Sequence, residues 1–139
     1  MPKTEIFFLD RNYQPTTDRV TGAPSVYATV TIGGMEVMSG QPAVIDTGAD
    51  FCIINAAELL LFRDQVRSAD KSKIEHPYLR GEQSDVYEGT ITIHGLDEPV
   101  QTYFTPRNLR PPILIGRHVL EHYNLTYNPL GGVFSLEKP

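Results

Sequence analysis

From Val26 to Ile32 the chain alternates, with Val26, Ala28, Val30 and Ile32 apolar and Tyr27, Thr29 and Thr31 between them. A period of two built largely on β-branched residues predicts a half-buried strand, and Gly33-Gly34 behind it predicts a hairpin turn that returns through Met35 to Met38. Val86 to Ile93 alternates in the same way, and Val100 to Phe104 makes a further strand after the Leu96-Asp97-Glu98-Pro99 turn. Two short runs, Ala43-Val44-Ile45 and Ile113-Leu114-Ile115, are apolar throughout, as strands buried on both faces are. The second is approached through Pro111-Pro112 and ends on Gly116. Leu125-Thr126-Tyr127 and Val133 to Leu136, joined through Asn128-Pro129-Leu130-Gly131-Gly132, predict a terminal hairpin.

Helical signals are few. After Phe51-Cys52-Ile53-Ile54, Asn55 with Glu58 three positions on is a capping-box-like start for a helix to about Arg67. A short helix fits Arg117 to Tyr123. Residues 63–76 mix both charge signs with Ser and Gln and read as a solvated connection. Residues 10–25, rich in Asp, Asn, Thr, Pro and Gly, carry neither period and read as irregular. The expected division is an N-terminal arm or extension over 1–24, which could serve as a pro-segment, and one domain over 25–139. The fold class is all-β.

A chain of 139 residues has the size of one domain with a real core. Twelve Lys and Arg against 17 Asp and Glu leave a net charge of -5, with no surplus of cations for phosphates, which argues against nucleic acid as a partner. The single cysteine, Cys52, excludes an internal disulfide and fits a reducing compartment, favouring the cytoplasm. The apolar run Ile6 to Leu9 is broken at once by Asp10 and Arg11, too short for a signal core or a membrane span.

The chemistry concentrates at Asp46, which the apolar run Val44-Ile45 delivers into the small turn Thr47-Gly48-Ala49-Asp50. A carboxylate there is costly unless hydrogen-bonded, so the position calls for a reason. Taken alone, Asp46 would be a turn-capping aspartate. The distant Leu114-Ile115-Gly116 changes that balance. An apolar strand into Asp-Thr-Gly-Ala, followed much later by a hydrophobic-hydrophobic-Gly segment, resembles the retropepsin-like (retroviral-type, clan AA) aspartic proteases, over roughly residues 26–136. Asp50 and Arg117 match the acidic residue after the active turn and the arginine that opens the C-terminal helix, which form a salt bridge in viral members.

The resemblance implies an acid-protease closed barrel with one main helix and a short C-terminal one. It implies an aspartic endopeptidase with Asp46 as the catalytic residue, supported by Thr47, Gly48, Ala49, Asp50, Ile115, Gly116 and Arg117, with no metal or other cofactor. Acid and base roles need two carboxylates. One Asp-Thr-Gly per chain therefore implies a homodimer acting on a polypeptide substrate. The flap is expected near Tyr78, Leu79, Arg80 and Gly81, a segment that departs from the glycine-rich viral pattern. The long terminal hairpin looks more like cellular and bacterial single-domain members than viral ones.

Two other functions fit parts of the sequence. His118-Val119-Leu120-Glu121-His122 matches a zinc-binding H-x-x-E-H pattern, with two imidazoles one helical turn apart and Glu121 as base. A third ligand is hard to find in the 17 residues after His122, where Glu137 is the sole acid. The other is a non-catalytic dimer of the same fold that holds extended peptides, since fold does not dictate chemistry.

Overall fold

The computed structural model describes residues 2–60, 71–75, 83–108 and 110–139. The strand pattern resolves into β1 (Lys3–Glu5), β2 (Phe7–Leu9), β3 (Pro15–Thr16), β4 (Ala23–Ile32), β5 (Met35–Ile45) and β6 (Cys52–Asn55). After α1 (Ala56–Leu60) come β7 (Lys71–Glu75), β8 (Gln83–Ile93), β9 (Val100–Arg107) and β10 (Ile113–Ile115). Helix α2 (Arg117–Leu120) leads into β11 (Asn124–Asn128) and β12 (Val133–Glu137).

Six of these strands close a barrel. They run in the order β4-β5-β10-β6-β9-β8, and β8 pairs back onto β4 through Ala28↔Ile93 to Ile32↔Gly89. Inward positions two apart on β4 (Val26, Ala28, Val30, Ile32), on β8 (Ile91, Ile93) and on β10 (Ile113, Ile115) fill it together with Phe104. Burying each of these larger side chains contributes about 1.5–3 kcal/mol, so the barrel interior is the main source of stability. The all-β closed barrel expected from the sequence is the fold observed.

Gly33 and Gly34, at φ of 61° and 74°, make the β4–β5 turn in a region few other residues enter. Beyond Met38, β5 does not stop. It continues through Gly40-Gln41-Pro42 to Ile45 as one strand, with irregular register against β4 between Ala28 and Val30. Gly40 takes φ 59° and absorbs the irregularity, so one long strand carries the chain from the hairpin to Asp46.

Residues 3–9 differ from the expected arm. β2 pairs with β4, and β1 joins the terminal hairpin in a second sheet of order β1-β12-β11. Ile6, Phe8 and Leu9 are buried, and Phe8 packs edge-on against Phe134, ring centroids 5.2 Å apart. Short strands of this kind have no readable period, and their partners lie far along the chain.

Asn55 caps α1 as expected, its Oδ1 accepting from the N–H groups of Ala57 (2.8 Å) and Glu58 (3.3 Å). The expected continuation to Arg67 lies outside the described residues. Within the stretch expected to be a solvated connection, residues 71–75 instead form β7, antiparallel to β8 from Lys71↔Tyr87 to Glu75↔Gln83. Pairing to β8, not a hydrophobic period of its own, makes this segment a strand. The expected flap residues Tyr78, Leu79, Arg80 and Gly81 fall between these two strands and outside the described residues. Among the described residues no helix is long and apolar enough to cross a membrane.

Candidate active site

The turn at Asp46 exists because β10 is inserted between β5 and β6. β10 runs parallel to β5 (Ile113↔Ala43, Leu114↔Val44, Ile115↔Ile45) and antiparallel to β6 (Ile113↔Ile54, Leu114↔Ile53). Residues 46–51 must therefore leave β5 and cross the end of β10 before β6 can begin. The parallel ladder extends one step into this turn, where the Asp46 N–H donates to the Ile115 carbonyl at 2.9 Å. Ala49 N–H then donates to the Asp46 carbonyl at 3.2 Å, and Gly48 N–H to Asp46 Oδ1 at 2.9 Å. Asp46 is half-buried, whereas Thr47 and Gly48 are exposed. A carboxylate held by a backbone donor on one oxygen, on an exposed turn anchored in a buried sheet, is fixed in place and open to a ligand.

Gly116 lies directly beneath. A Cβ built there would fall 2.2 Å from the Phe51 carbonyl oxygen and 2.9 Å from that of Ala49. Only glycine lets β10 end this close to the turn. The chain then enters α2, whose first free N–H groups are taken by the turn: Arg117 N–H donates to the Ala49 carbonyl (2.8 Å) and His118 N–H to that of Asp50 (2.9 Å). The Arg117 guanidinium also donates to the Asp50 carboxylate. The structure thus brings together Asp46, Thr47, Gly48, Ala49, Asp50, Ile115, Gly116 and Arg117.

Phe51, Tyr103, His118, Thr102 and Cys52 surround this unit without having been singled out for it. Phe51 packs edge-on against Tyr103 (5.5 Å) and against the His118 ring (5.3 Å). Thr102, buried on β9, lies with its Oγ1 3.0 Å from Nδ1 of His118. The signal for Thr102 was present in the sequence, as a hydroxyl in the inward row Val100, Thr102, Phe104. Cys52 is fully buried, and loss of solvent pushes its thiol up to about 11, partly opposed by hydrogen bonds from the Gly116 backbone and the Thr102 side chain. It is a packing residue with its sulfur against the end of β10.

The zinc pattern finds no such assembly. His118 is turned to Thr102 and the aromatic pair, and among the described residues no three His, Cys, Asp or Glu side chains gather as a metal site would need. His118, Glu121 and His122 border a cleft of about 760 Å³ that also takes in Glu98, Gln101 and Lys138, and not the Asp46 turn.

No protein-family model matches the sequence, and neither does any curated protein. Solved structures do. A retropepsin-like aspartic protease from Rickettsia conorii superposes with a TM-score of 0.56 at 10% identity, covering 96% of this chain and 89% of its own. The protease of simian foamy virus (mac) matches at 22% identity over 66% of this chain and 86% of its own, with a TM-score of 0.42. The EIAV protease, solved with an inhibitor, matches at 18% identity over 76% of this chain and 92% of its own, with a TM-score of 0.40. At these identities the likeness is one of fold, and it is a retropepsin-like fold.

Proposed function

We propose that this protein is an aspartic endopeptidase that works as a homodimer, with Asp46 of each subunit forming the catalytic pair. The observation that carries this reading is the Asp46 carboxylate itself, held by the Gly48 N–H on an exposed turn whose backbone is tied to β10 at Ile115. A purely turn-capping aspartate has no need of the buried crossover beneath it, nor of the glycine that lets the crossover approach.

In this reaction one Asp46 carboxylate takes a proton from water as the oxygen attacks the peptide carbonyl. The other Asp46, protonated, gives its proton to the carbonyl oxygen. Collapse of the tetrahedral intermediate breaks the C–N bond, and a proton passes to the leaving amine. Two carboxylates brought together across a two-fold axis would share one proton because both cannot ionise easily, so activity belongs to acidic pH and fades once both are deprotonated. Thr47, at the exposed tip of the turn, would bond to its counterpart across the two-fold axis. Ala49, Asp50, Ile115, Gly116 and Arg117 support the turn. An extended polypeptide would lie over both turns and pair through its main chain.

The test is cleavage of a diverse peptide pool from acidic to neutral pH by wild type and Asp46→Asn at matched concentration. Cleavage by wild type alone, declining toward neutrality, is the expected result. Cleavage by both would remove Asp46 from the mechanism, and cleavage by neither, with the protein folded, would turn the fold to peptide binding.

A further inference from the structure

Val100, Thr102 and Phe104 form the inward row of β9, and Thr102 is its polar member, almost wholly buried. A hydroxyl in such a row is costly unless it is bonded. Here its partner is Nδ1 of His118, at 3.0 Å. The His118 ring is further confined by Phe51 at 5.3 Å and Tyr103 at 6.1 Å between centroids. The backbone N–H of the same histidine donates to the Asp50 carbonyl in the active turn. One residue is therefore bound to the barrel wall by its side chain and to the turn by its main chain.

Helix α2 has four residues and no stability of its own, so what holds it in place is tertiary contact. We propose that His118 is a positioning residue, whose hydrogen bond to Thr102 fixes the start of α2 and through it the Ala49–Asp50 carbonyls that hold the Asp46 turn. The kinetic consequence rests on the peptidase reading above, whereas the positioning itself does not. A threonine hydroxyl both donates and accepts, so Thr102 satisfies Nδ1 whichever ring nitrogen carries the proton. The two aromatic rings keep the imidazole from rotating off that bond.

The experiment compares wild type with Thr102→Val, which removes the hydroxyl at nearly constant volume, and with Thr102→Ser, which keeps it. Amide hydrogen exchange is followed at Arg117 and His118, with the barrel amides of Ile91 and Ile93 as internal reference. Thr102→Val should speed exchange at Arg117 and His118 by about tenfold, the scale set by one lost hydrogen bond, while Ile91 and Ile93 stay as in wild type. Thr102→Ser should restore protection. In turnover, kcat should fall in Thr102→Val with KM held within about twofold, because the turn's geometry changes and the substrate contacts do not. Unchanged exchange at Arg117 and His118, or equal acceleration at Ile91 and Ile93, would overturn the proposal. Should Thr102→Val fail to fold, His118→Phe, which keeps the ring contacts and loses the bond, carries the same comparison. If wild type cleaves no peptide, the peptidase reading fails, and the exchange result still decides whether His118 holds the turn.

Discussion

Across 67 positions of sequence, the Arg117 guanidinium donates to the Asp50 carboxylate and so joins the first residue of α2 to the Asp46 turn. The arginine side chain is 56% exposed and the aspartate 27%, so water screens the pair. A double-mutant cycle with Arg117→Gln and Asp50→Asn, measured by urea unfolding, should give a coupling of about 0.2–1 kcal/mol. Raising the salt to about 1 M should shrink it. A coupling above about 2 kcal/mol would mean that the pair acts as a desolvated one.

Gly116 should tolerate nothing larger. The atoms a Cβ would meet, at 2.2, 2.7 and 2.9 Å, all belong to the backbone of Phe51 and Ala49, so no side chain can swing aside. Gly116→Ala has to push β10 away from the turn and break the ladder that ends at Asp46. A loss of about 3 kcal/mol or more is expected, at the upper end for small-to-large changes, and the unfolding midpoint reports it. A variant within about 0.5 kcal/mol of wild type would show that the turn can retreat from β10.

Cys52 makes a prediction about alkaline pH. Its thiol is raised from 9.0 to about 11 by burial, so the folded state holds the proton more tightly than the unfolded chain does. The associated stability is complete below the unfolded value, declines between the two, and is lost as pH rises through the folded one. The slope over that window is about 1.4 kcal/mol per pH unit. Urea unfolding across the window should show a steeper fall for wild type than for Cys52→Ala; equal slopes would mean the sulfur is hydrated. For the same reason a thiol reagent should label Cys52 only as fast as the protein opens.

The barrel was legible where strands are long enough to show their period. Residues 26–32 and 100–104 alternate, and the inward positions of that alternation are the buried ones; in 86–93 Ile91 and Ile93 keep the phase and Val86, out of step with them, is buried too. The Asp46 turn was legible because Asp46 interrupts an apolar run, and a second apolar run ending on glycine stood ready to cross beneath it. The course of β5 through Gly40 and Pro42 was not, since those residues break strands elsewhere; here Gly40 falls at the register irregularity between Ala28 and Val30, and Pro42 stays in register opposite Tyr27. β1 and β2 were missed because three residues define no period. What buries Phe8 is Phe134, at the other end of the chain. Thr102 is one hydroxyl in an alternating strand and His118 stands out only as part of the zinc pattern, and the fold alone brings the two to hydrogen-bonding distance.

The sharpest consequence of the proposed pair of Asp46 side chains concerns mixtures. In a two-fold dimer each subunit supplies one carboxylate, so a subunit carrying Asp46→Asn disables whichever partner it meets. With wild type held constant and an equal amount of Asp46→Asn added, random exchange leaves about half of the wild-type chains paired with another wild-type chain. Activity should fall to about half, and continue down as the variant is increased, although no wild-type protein has been removed. A monomeric enzyme would be indifferent to the addition. Because exchange requires dissociation, the loss should develop with time after mixing, and dilution of wild type alone should lower its specific activity once the dimer dissociates. Constant activity in the mixture, after subunit exchange has been shown independently by mass-labelled chains, would place the full chemistry within one subunit.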